Sequence, residues 1–69
     1  LLPAFPDAKP VRNKGHSKRW ESKKRIYEWD YQHGAVEVYN WEGDHLGEFD
    51  IQTGEQTGKA KPERRTTTK

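Results

Sequence analysis

The stretch Tyr27-Glu28-Trp29-Asp30-Tyr31-Gln32-His33-Gly34-Ala35-Val36-Glu37-Val38-Tyr39 decides how this 69-residue chain is read. Residues 25–30 are rich in β formers, with Ile26, Tyr27 and Trp29. Residues 31–34 carry turn chemistry and end in His-Gly. Residues 35–41 then alternate: Val36 and Val38 point to one face, Glu37 and Tyr39 to the other. The stretch reads as a hairpin that gathers Asp30, His33 and Glu37 around one turn.

Downstream, Glu42-Gly43-Asp44 is the next turn and residues 45–49 a third strand. Residues 50–54 form another turn-like segment, and 55–60 hold a short edge strand. Short strands with Gly-containing turns predict a mainly β fold: a small, strongly twisted antiparallel sheet arranged as a meander. No stretch shows a convincing 3.6-residue apolar repeat. Upstream, residues 1–18 contain Pro3, Pro6, Pro10 and Gly15. Proline fixes φ and lacks a donor, so this is an extended or irregular basic arm, with room for one short helix. The reading is one domain: the arm at 1–18, the sheet and candidate site at 19–61, a basic tail at 62–69.

Only 29% of the residues are hydrophobic and 35% are charged, so three Trp, three Tyr and two Phe must supply most of the core. Each buried aromatic contributes roughly 150–250 Å². The absence of cysteine excludes disulfides, thiolate chemistry and a Cys-based zinc site. No apolar run is long enough to span a membrane, and the opening LLPAFP lacks the parts of a signal peptide, so no stable membrane association is expected. A start at Leu1 without Met is expected of a fragment of a longer protein.

The net charge of +2 conceals a segregation. Residues 1–25 carry eight Lys or Arg against two acids, residues 26–56 eight acids and no Lys or Arg, and residues 57–69 five against one. Basic arms around an acidic centre point to nucleic acid as the leading partner class, although lysines also solubilise chain ends.

Asp30, His33 and Glu37 match the needs of RNA cleavage by the substrate's own 2′-hydroxyl. One group takes the proton of that hydroxyl, and another gives a proton to the departing 5′ oxygen. A carboxylate and a histidine share such work, because an imidazole titrates near about 6.5. An aspartate beside the ring fixes its tautomer, and an arginine fork holds the phosphate. The pattern D-x-x-H-x-x-x-E alone is weak, since Asp and His are ordinary turn residues. Tyr27, Trp29, Tyr31, Tyr39 and Trp41 suit base stacking, but the Trp residues read rather as core, while Tyr27 and Tyr39 fit either role. His16, His33 and His45 match no metal-ligand spacing, so no metal site is expected.

The segment KRWESKKRIYEWDYQHGAVEVYNWEGDHLGEFDIQTGEQ, residues 18–56, resembles the cytotoxic domain of the ribosome-inactivating E-group colicins and cloacin. The shared patterns are K-R-W, I-Y-E-W-D-x-Q-H-G-x-x-E-x-Y and G-x-H-L-G-x-F-D-x-x-T-G-x-Q. The resemblance implies a metal-independent endoribonuclease, without cofactor, that cuts small-subunit ribosomal RNA in the decoding A site and leaves a 2′,3′-cyclic phosphate. It places Asp30, His33 and Glu37 on catalytic positions, with Arg64 of Pro62-Glu63-Arg64 as the family's arginine. It places Tyr27, Tyr39 and His45 near the cleft. Arg65 adjoins Arg64, and sequence leaves open which clamps the phosphate, as it leaves open which of Glu37 and His33 is the base. The implied partners are the ribosome and a cognate acidic immunity protein. The implied setting is a larger toxin secreted by its producer and active in the cytoplasm of the target bacterium. The rival readings are a non-catalytic RNA-binding module and a tRNA- or DNA-directed nuclease.

Overall fold

The computed structural model describes residues 2–12 and 18–68. Six strands follow in chain order: β1 (Lys9–Val11), β2 (Arg19–Glu21), β3 (Arg25–Asp30), β4 (Ala35–Asn40), β5 (His45–Phe49) and β6 (Gln56–Gly58). Each pairs antiparallel with the next, so the sheet order is the sequence order and the fold is a meander. The described residues contain no helix. Residues 13–17 of the arm, with His16, lie outside them.

The mainly β expectation holds, and the strands at 25–30, 35–40 and 45–49 fall within the segments read as strands. The structure adds two three-residue strands, β1 within the arm and β2 at Arg19–Glu21. They are too short to show a period, and β1 contains Pro10 at the edge of the sheet, where a missing N–H costs no ladder bond.

Three turns are built on the same device ten residues apart. Asp30 Oδ1 accepts the N–H of Gln32 and His33, Asn40 Oδ1 those of Glu42 and Asp44, and Asp50 Oδ1 those of Gln52 and Thr53. A short polar side chain that satisfies the backbone just downstream is what favours Asp and Asn at such corners.

The two faces of the sheet separate by the strand period of two. Trp20 pairs with Tyr27, Tyr27 with Val38, and Trp29 with Val36. These side chains pack with Leu2 and Ala8 of the arm, and with Phe5, Leu46, Phe49 and Ile51 at the margin. The arm is pinned by the N–H of Ala4, which donates to the Ile51 carbonyl at 2.8 Å. The opposite face carries Ile26, Glu28, Asp30, Glu37 and Tyr39. The C-terminal tail crosses that face, so its residues are not open to water as a wet sheet surface would be: Glu37 is only 7% exposed and Tyr39 1%. No helix among the described residues is long and apolar enough to cross a membrane.

Candidate active site

Across β3, β4 and β5, direct pairing sets Glu28 beside Glu37 and Glu37 beside Glu48. Like charges facing one another across strands repel, so each carboxylate needs its own partner. Glu28 lies 3.6 Å from Arg19 Nη1 and accepts the Thr66 hydroxyl. Glu37 Oε1 accepts from His45 Nε2 at 2.6 Å. Glu48 Oε2 lies 3.3 Å from His33 Nδ1.

Asp30 ends β3 and has two functions. Its Oδ1 folds the turn, and its Oδ2 accepts from His33 Nδ1 at 2.7 Å. Gly34 follows at φ 64°, a left-handed conformation that glycine adopts at little steric cost and that returns the chain as β4. The imidazole is thus held by Nδ1, while Nε2 makes no hydrogen bond among the described residues, on a side chain that is 60% exposed. The hydrogen bond to Asp30, with the charges of Asp30, Glu48 and more weakly Glu37, holds the His33 imidazolium above the ordinary imidazole range. Burial pushes the Asp30 carboxyl up, but the His33 ring and the N–H groups of Gln32 and His33 outweigh it, so it titrates below the usual range.

His45 is buried and pairs with Tyr39 across a bulge in β4–β5, its ring 5.3 Å from the phenol. Its Nδ1 accepts the backbone N–H of Lys61 at 2.9 Å. Nδ1 therefore carries the lone pair, and the ring proton sits on Nε2, aimed at Glu37. Glu37 Oε2 makes no hydrogen bond among the described residues, and none of the buried side-chain polar atoms is left unpaired. Among the described residues, Glu37 and His33 are each held at one atom and unbonded at another.

The tail brings the cation. Arg64 N–H donates to the Lys61 carbonyl at 2.9 Å, turning the chain over Pro62 and Glu63. Arg64 Nε donates to the Tyr39 hydroxyl at 2.8 Å. Burial pushes the phenol up, against the pull of Arg64. The Tyr39 hydrogen bond, with charge from Glu37 and Asp30, holds the guanidinium above its ordinary value. Its two terminal nitrogens make no hydrogen bond or ion pair among the described residues. Arg65 is committed elsewhere, to the Asp44 carboxylate and to the Glu42 carbonyl at 2.6 Å.

The structure thus gathers Asp30, His33, Glu37, Tyr39, His45 and Arg64 on one face. Tyr27 is not among them. It is 4% exposed, on the opposite face, its ring 5.1 Å from Phe5. The period of two that turns Glu37 to the site turns Tyr27 to the core. Tyr39 is buried and holds Arg64 rather than offering a stacking surface, whereas Tyr31 and Trp41 are exposed. Sequence reasoning missed Glu48 and the Lys61 N–H. Their roles depend on register and on where the tail docks, and no local pattern records either.

Asp30, His33 and Glu48 bring one donor atom each within 4.8 Å of one another. Nδ1 is hydrogen-bonded to Asp30 at 2.7 Å and lies 3.3 Å from Glu48 Oε2. Two carboxylates beside one ring nitrogen favour the protonated imidazole.

The family model described as Cytotoxic matches residues 1–67. Colicin E3 of Escherichia coli is 43% identical over 67 residues, which cover 93% of this chain and 12% of the colicin. Cloacin of Escherichia coli is 47% identical over 53 residues, 72% of this chain and 9% of the relative. Colicin-E6 of the same organism is 45% identical over 53 residues, 72% of this chain and 10% of the relative. The chain spans 9–12% of the length of these relatives. A match from the first residue to the sixty-seventh, with these identities, means that the chain belongs to the Cytotoxic family.

Proposed function

We propose that this domain is a toxin endoribonuclease that cuts small-subunit ribosomal RNA at the decoding A site and so stops translation in competing bacteria. One observation carries the reading. A carboxylate and an imidazole, each anchored by one atom and unbonded at another among the described residues, share a face with an arginine whose terminal nitrogens have no partner among those residues.

The substrate's 2′-hydroxyl supplies the nucleophile. Glu37 Oε2 takes its proton as the 2′ oxygen bonds to phosphorus. The bond from phosphorus to the 5′ oxygen breaks, and that oxygen takes the proton of His33 Nε2. The products are a 2′,3′-cyclic phosphate and a 5′-hydroxyl; no water is consumed and no metal is required. Glu37 suits the base because His45 holds Oε1 in place and leaves Oε2 as the oxygen that can meet the 2′-hydroxyl. His33 suits the acid because the hydrogen bond to Asp30 favours its protonated form. The Arg64 fork offsets charge gathering on the non-bridging oxygens. Each positioned proton-transfer group contributes about 10²–10⁴-fold.

The ribosome is the substrate partner, and the basic segments flanking the acidic sheet attract its phosphates. The similarity to colicins and cloacin supports a domain carried in a longer secreted bacteriocin, held in check by an acidic immunity protein until it reaches the target cytoplasm. Incubating purified domain with ribosomes in EDTA, followed by mass spectrometry of the new RNA ends, tests the chemistry. A 2′,3′-cyclic phosphate supports it; loss of cutting in EDTA, or a 5′-phosphate product, refutes it.

A further inference from the structure

Position 48 is an unspecified residue in the pattern G-x-H-L-G-x-F-D, and nothing in the mechanism above uses Glu48. The geometry points to Glu48 as a positioning residue of the site, a second carboxylate that acts through His33 by keeping its ring charged and oriented for proton donation. This inference rests on the ribonuclease reading.

The placement of Glu48 is costly unless something repays it. It stands directly opposite Glu37 on the adjoining strand, carboxylate against carboxylate. Its side chain is 18% exposed, too little for water alone to screen the repulsion. Among the described residues its one ion-pair partner is His33, at 3.3 Å from Nδ1. The neighbouring strand makes room for this. A Cβ at Gly58 on β6 would come within 3.0 Å of Glu48 Cβ and 3.3 Å of its Oε1. A side chain there would crowd the carboxylate away from the ring, and glycine leaves it in place.

The charged groups around His33 come from every strand of the site. Asp30 comes from β3, Glu37 from β4 and Glu48 from β5, while Arg64 of the tail acts on Asp30 and Glu37. Three negative groups favour the imidazolium, and Asp30 alone also hydrogen-bonds it at close range. Glu48 adds charge from the far side of Nδ1, so the ring N–H is flanked by acceptors and Nε2 stays directed away from both.

The experiment compares wild type, Glu48→Gln, Glu48→Asp and the exposed-surface control Glu55→Gln. The His33 titration is followed by NMR in EDTA without substrate. The pH profile of kcat/KM is measured separately on ribosomes. In Glu48→Gln the His33 midpoint falls, and the alkaline limb of the profile moves down with it. Activity above neutral pH drops on the order of tenfold, short of the about 10²–10⁴-fold expected from removing a proton-transfer group, and recovers in acid. Glu48→Asp keeps part of the effect, and Glu55→Gln none. An unchanged His33 midpoint, or an equal loss of activity at every pH, overturns the inference. Failure of the wild type to cut ribosomal RNA would refute the ribonuclease reading instead, a result separate from the substrate-free titration.

Discussion

His45 Nε2 and Glu37 Oε1 lie 2.6 Å apart beneath the tail, and the N–H of Lys61 on the other ring nitrogen decides which of the two carries the proton. The tail therefore acts on the site twice. Its backbone sets the tautomer behind Glu37, and its Arg64 side chain supplies the cation. One carboxylate oxygen is held and the other left free, as a base needs.

Replacing His45 tests this anchor. His45→Ala strands both a buried glutamate oxygen and the Lys61 N–H, at a cost of roughly 1–3 kcal/mol each in unmade bonds. Denaturant melts should register the loss, and kcat should fall with KM little changed. His45→Gln, which offers a donor and an acceptor, should retain more of both.

Removing either proton-transfer group should leave binding intact. Glu37→Gln and His33→Ala are each expected to lower kcat about 10²–10⁴-fold. His33→Ala should lower thermal stability in mild acid, where the substitution removes the pair with Asp30, and little at alkaline pH. Single-turnover cleavage with a parallel ribosome-binding assay checks this; weakened binding that accounts for the whole loss would argue for a structural role.

The Asp30–His33 pair makes stability and activity depend on pH. His33 has a raised folded value, so its contribution is complete below the unfolded imidazole value of about 6.5 and disappears as pH rises through the folded one. Asp30 has a lowered folded value, so its contribution is present above about 3.9 and disappears as pH falls through the folded one. The stability gap between wild type and Asp30→Asn should thus be widest in mild acid and narrow on either side. Asn can still fold the turn through Oδ1, so a gap that persists unchanged at high pH would point to turn damage instead. The alkaline limb of the activity profile should move to lower pH in the same variant.

The two adjacent arginines should behave differently. Arg64→Ala is expected to abolish most cutting, and Arg64→Lys to restore little, since a point charge does not replace a planar fork. Arg65→Ala breaks an exposed pair with Asp44, of a kind generally contributing about 0.2–1 kcal/mol, and should mainly loosen the tail. Equal losses of kcat in the two variants would remove the distinction.

Tyr27 offers a check on the division of faces. It packs in the core cluster opposite Val38, on the face away from Glu37, so Tyr27→Phe should leave cleavage and stability near wild type. Tyr27→Ala empties a core position at about 3–5 kcal/mol, a large loss for so small a domain. A kcat defect in Tyr27→Phe would return the residue to the substrate.

The central hairpin and its corners are legible in the residues themselves. Val36 and Val38 against Glu37 and Tyr39 declare the faces of β4, and Asp30, Asn40 and Asp50 mark the corners. The features that sequence does not reveal share a cause, dependence on contacts distant along the chain. β1 and β2 are three-residue strands whose form comes from pairing, not from local pattern. His45 meets Glu37 only across a bulge, which a count of alternating residues cannot foresee. Arg64 and Arg65 are identical as residues, and only the docking of the tail on Gly43 and Asp44 tells them apart. Tyr27 reads as a site residue because aromatic character does not reveal which face it serves.

Primer extension on ribosomal RNA from ribosomes treated in EDTA, with wild-type domain and with Glu37→Gln side by side, addresses the mechanism most directly. A single stop in the decoding region with wild type, absent with Glu37→Gln, is the expected result. An uncut strand with wild type, or the same stop with Glu37→Gln, would contradict the assignment of the carboxylate as base.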